Sequence, residues 1–328
     1  MKQKLMGLVK HIAATKTRII VVGDVILDVF TTGDKERMSS EAPVPVVRVN
    51  DRKYLPGGAG NVAANIAVLG GETKLVSVIG AGYSGSRLQD LLKSYQINIE
   101  GLVIDLTRRT SRKERILIGT EQIVCVADET RNPVDHWVIE KVAETLESNG
   151  SDIIILSDYN RGMINEILVS RVIEIGNRQN KRVLADVHIR EGFDISSLKG
   201  VYLFTPNRFE AAHLVDIPVT EIGSRRREVA TKLVDMMNIN VLLTIDGDGM
   251  VLALTDGKVK EFPAIELNPV CVSGAGDTVV GTIAVSLAAG IDIVDAVMLS
   301  SLAAAVAVKK PATSTVSLDE LKKYLTNM

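Results

Sequence analysis

Apolar residues along this chain come in short unbroken runs: 18–23, 73–79, 152–157, 182–185, 201–204 and 241–245. A strand with no polar face is one buried on both sides, and such runs separated by helical stretches predict a mostly parallel sheet covered by helices on each face. Two segments, about 29–54 and 102–126, break the rhythm. The first sets Pro43 and Pro45 among alternating Val44, Val46 and Val49; the second places Arg115-Ile116-Leu117-Ile118 after a basic cluster. Half-exposed strands forming a small β lid fit both. Further on, 274–289 and 293–309 read as buried helices and 318–325 as an amphipathic terminal cap. The expected fold class is therefore α/β: an αβα sandwich around a mostly parallel central sheet, with residues 1–328 as one domain and the lid segments inserted into it.

Composition narrows the partners. The chain has 328 residues, 46% of them hydrophobic, with a formal net charge of −2 and no long run of one sign. That gives no electrostatic footprint for nucleic acid or an anionic membrane and leaves a small molecule as the expected partner. Cys125 and Cys271 are too far apart for a C-x-x-C pair, which fits a cytoplasmic location. The first five residues lack a signal-peptide core, and the longest apolar stretch, 296–308, falls short of the ~18 residues a membrane span needs. Neither a leader nor a span is expected.

The strongest chemical signal is Cys271-Val272-Ser273-Gly274-Ala275-Gly276-Asp277-Thr278. Small residues open a helix there, and the first amides of a helix lack intrahelical acceptors, so an anion belongs beside Ala275, Gly276 and Asp277. Those amides could stabilise the charge that spreads over a phosphoryl group in transfer. Asp277, in the first turn, could accept a proton from an attacking hydroxyl while the positive end of the helix keeps it ionised. A bare Gly-Gly step with a following amide stands in Pro56-Gly57-Gly58-Ala59-Gly60-Asn61. No G-x-x-x-x-G-K-[ST] loop is present, so any nucleotide phosphates must rest on residues 274–277. His11, His136, His188 and His213 have no metal-ligand spacing and receive no catalytic role.

Gly274-Ala275-Gly276-Asp277 resembles the catalytic signature of the ribokinase-type (PfkB) carbohydrate kinases, and the likeness extends over nearly the whole chain. It implies a ribokinase-like fold, a sugar or sugar phosphate as acceptor, ATP and Mg²⁺ as cofactors, and Asp277 as catalytic base with Gly274, Ala275 and Gly276 around the transferred group. Asp24, Asp28, Gly57, Gly58 and Asn61 resemble the family's sugar-binding residues. Asn207 and Glu210, in Thr205-Pro206-Asn207-Arg208-Phe209-Glu210, resemble its element that holds Mg²⁺ through water, a mode suited to that ion. Thr244, Asp246, Gly247 and Gly249 resemble the loop bordering the nucleotide. Met38-Ser39-Ser40-Glu41-Ala42-Pro43-Val44-Pro45-Val46, Ser157-Asp158-Tyr159 and Thr313-Ser314-Thr315-Val316-Ser317 are similar to the branch that phosphorylates D-glycero-β-D-manno-heptose 7-phosphate at C1. In bifunctional members of that branch a nucleotidyltransferase domain follows, and none is expected after Met328.

Three positions depart from the branch. The segment Val124-Cys125-Val126-Ala127-Asp128-Glu129 lacks an expected Arg, and Asp186-Val187-His188-Ile189-Arg190 lacks a Lys, so Lys113 or Arg190 would have to supply positive charge for a substrate phosphate. Cys271 replaces an Asp linked to a monovalent-cation site, so K⁺ activation is not expected. A competing reading takes Gly80-Ala81-Gly82-Tyr83-Ser84-Gly85, with Glu100 or Asp105 downstream, as the fingerprint of an NAD-binding oxidoreductase. That reading leaves residues 274–277, Asn207 and Glu210 without a role. A non-catalytic sugar sensor on the same fold is a third possibility, which the intact Asp277 argues against. The free edges of the lid lead to an expected homodimer paired through it.

Overall fold

The computed structural model describes residues 2–119, 121–148, 150–265 and 268–327. From the N-terminus, helix α1 (Lys2–Ala14) precedes β1 (Arg18–Gly23), the long strands β2 (Val25–Met38) and β3 (Pro45–Gly58), helix α2 (Ala59–Val68), β4 (Glu72–Ile79) and α3 (Tyr83–Ser94). Next come β5 (Asn98–Ile104), β6 (Arg112–Ile118), β7 (Glu121–Asp128), α4 (His136–Glu147), β8 (Ile153–Ser157), α5 (Glu166–Arg178) and β9 (Arg182–Asp186). The last third holds β10 (Leu203–Phe204), α6 (Arg208–Val215), α7 (Arg226–Met237), β11 (Asn240–Thr244), β12 (Met250–Ala253), β13 (Val259–Phe262), α8 (Ala275–Ala288), α9 (Ile293–Ala307) and α10 (Leu318–Asn327).

The large sheet has nine strands in the order β13-β12-β11-β10-β9-β8-β1-β4-β5. Every pairing from β5 to β11 is parallel, and β12 and β13 close one edge as an antiparallel hairpin. The side chains of β1 show why both faces are covered. Ile19 and Val21 join the core formed with Val62 and Ile66 of α2, Ile283 of α8 and Leu299 of α9, whereas Ile20 and Val22 point the other way, toward Val138 and Val142 of α4 and Val169 and Val172 of α5. This is the αβα sandwich read from the unbroken apolar runs.

The lid is a four-stranded sheet in the order β3-β2-β6-β7. Only Asp24 separates it from the end of β1, so the hairpin of β2 and β3 carries Asp28 and Gly57-Gly58 directly over the end of the central sheet. Its boundaries differ from expectation. The first segment spans Val25 to Gly58, and the second comprises only β6 and β7, because residues 102–104 belong to β5 of the large sheet. As an edge strand, β5 is buried at Gly101 alone, so its half-exposed pattern imitates a lid strand. Strand 201–204 is reduced to β10, and the short hairpin of β12 and β13 was not anticipated. Among the described residues no helix is long and apolar enough to cross a membrane.

From β1 the chain passes to β4 on one side and later to β8 on the other. Such a reversal opens a crevice at the carboxyl ends of parallel strands, where ligands of open α/β sheets bind.

Candidate active site

Helix α8 begins at this crevice. Gly274 precedes it with φ 83°, and a Cβ there would lie 2.7 Å from Asn61 Nδ2 and 2.8 Å from Thr313 Cγ2, so only glycine fits. The Ala275 amide donates to Val272 O (3.2 Å) rather than staying open. That corrects the expectation of three free amides: among the described residues, those of Gly276 and Asp277 have no hydrogen-bond acceptor.

Asp277 is only 6% exposed. Asn61 Nδ2 donates to its Oδ2 at 2.5 Å, and the Tyr159 hydroxyl donates to its Oδ1. Burial pushes its pKa up to about 6; the two hydrogen bonds pull the other way and the Asp28 charge adds to the rise. Desolvation thus outweighs the favourable helix start, yet the carboxylate is still ionised at neutral pH and close to the range where a general base works best. Asn61 is itself held from behind. Asn65 Nδ2 donates to Asn61 O (2.9 Å) and Oδ1 (3.3 Å), and Asn65 Oδ1 accepts from Thr278 Oγ1 (3.1 Å). The Asn61 amide therefore has its nitrogen free for Asp277.

The lid and the end of β1 bring the expected sugar-binding residues together in different ways. Asp28 lines a cleft of about 510 Å³ beside Asp277 and is paired with Arg115 Nη1 at 2.7 Å. Gly57 makes room for it, since a Cβ would stand 2.4 Å from Asp28 Oδ2. Gly58 lines the cleft at φ 58°, its Cβ position blocked by Asp24 O at 2.3 Å. Asp24 itself is a correction. Its Oδ2 accepts from the backbone amides of Tyr159 (3.0 Å) and Arg161 (2.9 Å), and its Oδ1 from Met163 (3.0 Å), so this buried carboxylate ties down the 159–163 loop and presents nothing to a ligand. Asn61 likewise faces Asp277 and does not line the cleft.

Among the cations around this cleft, Arg115 is taken by Asp28, Arg161 by Glu129 (2.6 Å) and Arg190 by Asp158 (3.1 Å). Of the two cations expected from sequence, Lys113 lines the cleft with no ion pair among the described residues, while Arg190 is paired with the cleft residue Asp158 and does not line the cleft itself.

A second cleft of about 430 Å³ adjoins the first and shares Asn207, Thr244, Gly276 and Val279 with it. Thr244, Asp246, Gly247 and Gly249 border one side and Val272, Ala275, Ala305 and Val308 the other, as an apolar slot for a flat ring system requires. Arg208 holds the turn of this loop through Asp246 (2.9 Å) and Asp248 (3.2 Å). Asn207 and Glu210 form a capping box on α6: Asn207 Oδ1 accepts from the amides of Phe209 (2.8 Å) and Glu210 (3.0 Å), and Glu210 Oε2 from that of Asn207 (2.9 Å). Both side chains also line the first cleft, where Glu210 Oε1 meets His188 Nδ1 at 3.3 Å.

Sequence reasoning missed Tyr159 as a partner of Asp277, and Asp186 and His188 as cleft residues. The available signal was position, because each follows the carboxyl end of an expected strand. Burial, followed by the nearby Glu210 and Asp277, pushes Asp186 up to about 8. Asp186 and Glu210 both line this cleft, and carboxyl oxygens are the donor type that a hydrated divalent cation takes.

The glycines of the competing fingerprint serve the chain itself. A Cβ on Gly80 would lie 2.3 Å from Arg108 O and one on Gly85 2.2 Å from Gly80 O, while Gly80 N donates to Thr110 Oγ1 (2.9 Å). Glu100 is occupied by Lys74 (3.2 Å), and Asp105 Oδ1 accepts from the amide of Thr107 (2.8 Å). The oxidoreductase reading is not favoured.

Comparison with known proteins agrees with this geometry. The bifunctional protein HldE of Sulfurimonas denitrificans is 34% identical over 310 residues, covering 94% of this chain and 64% of that protein. HldE of Rhodospirillum rubrum is 36% identical over 312 residues, covering 93% and 62%. The chain thus spans less than two thirds of the length of these relatives. Arabidopsis thaliana ribokinase complexed with ribose and ATP superposes with a TM-score of 0.74 at 18% identity, over 95% of this chain and 99% of that one. The family model for pfkB family carbohydrate kinases matches residues 16–321. With the ribokinase-like sandwich, the lid and this match over most of its length, the chain belongs to the pfkB family of carbohydrate kinases and is a sugar-phosphorylating phosphotransferase.

Proposed function

We propose that this chain transfers the γ-phosphoryl group of ATP to the C1 hydroxyl of D-glycero-β-D-manno-heptose 7-phosphate, giving the 1,7-bisphosphate. One observation carries the reading: the start of α8 lies where two clefts meet, with Gly276 common to both and Asp277 facing the one beneath the lid. The apolar slot suits adenine, and the open amides of Gly276 and Asp277 suit the γ-phosphate. Asp28, Gly58 and Lys113 suit a sugar phosphate under the lid.

In this reading Asp277 accepts the proton of the sugar hydroxyl as its oxygen attacks phosphorus, and Asn61 keeps the carboxylate in place. Mg²⁺ would neutralise charge on the phosphates. Asn207 and Glu210 would hold it through water, beside Asp186. Because their side chains also cap α6, an indirect role through water suits them. The heptose assignment rests on the resemblance of 38–46, 157–159 and 313–317 to that branch, and on Lys113, which lines the cleft with no ion pair among the described residues. With only one cation of the cleft outside an ion pair among the described residues, a sugar without a phosphate is the second reading.

Residues 1–328 act as a single kinase unit, paired through the lid as a homodimer. Both cysteines are free thiols, consistent with the reducing, ATP-containing cytoplasm. The test is ADP production from MgATP across a panel of sugars and sugar phosphates. Turnover selective for the heptose 7-phosphate is expected; turnover only with another sugar would keep the chemistry and discard the substrate.

A further inference from the structure

The loop after β8 does more than border the cleft. Its position is over-determined, since Asp24 grips the amides of Tyr159, Arg161 and Met163 at 3.0, 2.9 and 3.0 Å. A carboxylate 3% exposed and spent on three amides fixes a loop; here it fixes the backbone from which Tyr159 reaches Asp277. Gly58 supports the same placement, because the position of its missing Cβ is only 3.2 Å from Tyr159 Cδ2.

The two donors to Asp277 differ in where they stand. Asn61 is 1% exposed and lies outside the cleft, whereas Tyr159 lines it. The Tyr159 hydroxyl, from a residue that lines the cleft, therefore caps Asp277 Oδ1, while Oδ2 is held by the buried Asn61. An acceptor hydroxyl entering from the cleft would have to displace that contact in order to donate to Oδ1.

We propose that Tyr159 is a latch on the catalytic base: its hydroxyl occupies Asp277 Oδ1 until a sugar hydroxyl displaces it, and so denies the base to water. The latch rests on the reading of Asp277 as general base. Burial, then the nearby Asp277 and Asp186 charges, push the Tyr159 phenol well above its usual range, so it remains a neutral donor and cannot itself take up the proton. When the latch is open and no sugar is present, a water at Oδ1 gives its proton to Asp277 while its oxygen bonds to the γ-phosphorus. The bond from phosphorus to the β,γ-bridging oxygen breaks, and ADP and inorganic phosphate leave.

A phenylalanine keeps the ring packing and removes only the donor. The latch therefore predicts that Tyr159→Phe hydrolyses MgATP in the absence of any sugar about tenfold faster than wild type, the change expected when one hydrogen bond to a charged group ceases to compete. It also predicts a higher acid limb for that hydrolysis, because the Tyr159 hydrogen bond lowers the Asp277 pKa. The other ionisable groups of this cleft, Asp28 with its partner Arg115 and Lys113 from the lid, Asp158 and Arg161 after β8, Asp186 and His188 at the end of β9 and Glu210 of α6, are unchanged by the substitution. The experiment measures sugar-free MgATP hydrolysis from pH 5 to 9 for wild type, Tyr159→Phe and the double variant Tyr159→Phe/Asp277→Asn, with nucleotide affinity as the check on folding.

Faster hydrolysis with a raised acid limb, both lost in the double variant, supports the latch. Hydrolysis at the wild-type rate, or faster hydrolysis with an unmoved acid limb, overturns it and leaves the base reading intact. Faster hydrolysis that persists in the double variant overturns both, since Asp277 would not be the group released. Should Tyr159→Phe fail to bind nucleotide, Asp24→Asn loosens the same loop from outside the cleft and must show the same change in smaller measure.

Discussion

Asn61 and Asp277 are separated by 216 residues of chain, yet the Asn61 amide nitrogen lies 2.5 Å from Asp277 Oδ2. The contact joins the first turn of α2 to the first turn of α8, so two helix starts converge on one carboxylate. Because Asn65 and Thr278 complete the network from behind, Asp277 is aimed by buried side chains rather than by solvent. A base held this way loses little freedom when the sugar arrives.

Asp277→Asn preserves the size and hydrogen-bonding reach of the side chain and removes its basicity. It is expected to lower kcat by about two to four decades, the usual span for a lost general base, with ATP affinity little changed. Stability should move the opposite way. With a native pKa of about 6 against an ordinary 3.8, the folded protein holds a proton through this window that the unfolded chain has released. Stability therefore falls as pH rises from about 4 to 6, and the cost of the buried charge stands in full above that. At pH 7.5 the variant should be more stable than wild type by up to about 3 kcal/mol, with the difference vanishing toward pH 4. Thermal melts across pH read this directly, and a less stable variant at pH 7.5 would contradict it.

Gly57 lies outside the catalytic helix but controls Asp28. A methyl group 2.4 Å from Asp28 Oδ2 must push the carboxylate aside and disturb its pairing with Arg115. Gly57→Ala should thus raise the sugar KM by about tenfold or more, with a stability loss of roughly 1–3 kcal/mol typical of overpacking. Nucleotide binding in the neighbouring cleft should hardly change. Equal weakening of both ligands, measured by calorimetry, would show that the glycine matters for the fold and not for Asp28.

Much of the architecture was legible because it follows from local pattern. A run such as residues 153–157, apolar at nearly every position, can only be buried on two faces, and Gly274-Ala275-Gly276-Asp277 can only open a helix that leaves amides free. The lid boundary was misread at β5 because an edge strand of the large sheet carries the same half-exposed pattern as a lid strand. Asp24 shows a deeper limit. At the end of a strand its carboxylate looks like a sugar ligand, and nothing local reveals that the amides filling it come from a loop 135 residues away. Tyr159 is the converse case, since its bond to Asp277 spans 118 residues and exists only once β8 and α8 have packed.

Lys113 offers a test of substrate class. It sits opposite Asp28 in the pairing of β2 with β6 and lines the cleft, while the neighbouring arginines are neutralised by carboxylates. A charge-assisted contact to phosphate is worth about 1.5–3 kcal/mol, so Lys113→Met should raise KM for a sugar phosphate by roughly 10–100-fold. The KM for the same sugar without its phosphate should remain within about twofold, as no charged partner is lost. An equal effect on both would move the phosphate site elsewhere.

The outer edge of the lid carries the last prediction. Strand β7 is exposed from Glu121 to Ala127, and Ile123, Val124 and Val126 are 38%, 44% and 46% open to solvent. An edge strand offers unpaired backbone groups, and one that is also apolar invites pairing or aggregation unless it is covered. A second lid related by a two-fold axis covers it most simply, because the same strand meets itself and the contact closes at two copies. Wild-type protein at micromolar concentration should then sediment as a dimer. Val126→Lys should shift it toward monomer, since a buried unpaired ammonium at such an interface is strongly unfavourable. Because β7 pairs with β6, which carries Arg115 and Lys113, loss of the dimer should also loosen the sugar cleft and raise sugar KM more than ATP KM. A wild-type protein that sediments as monomer, or a Val126→Lys variant that remains fully dimeric, would place the interface away from this edge.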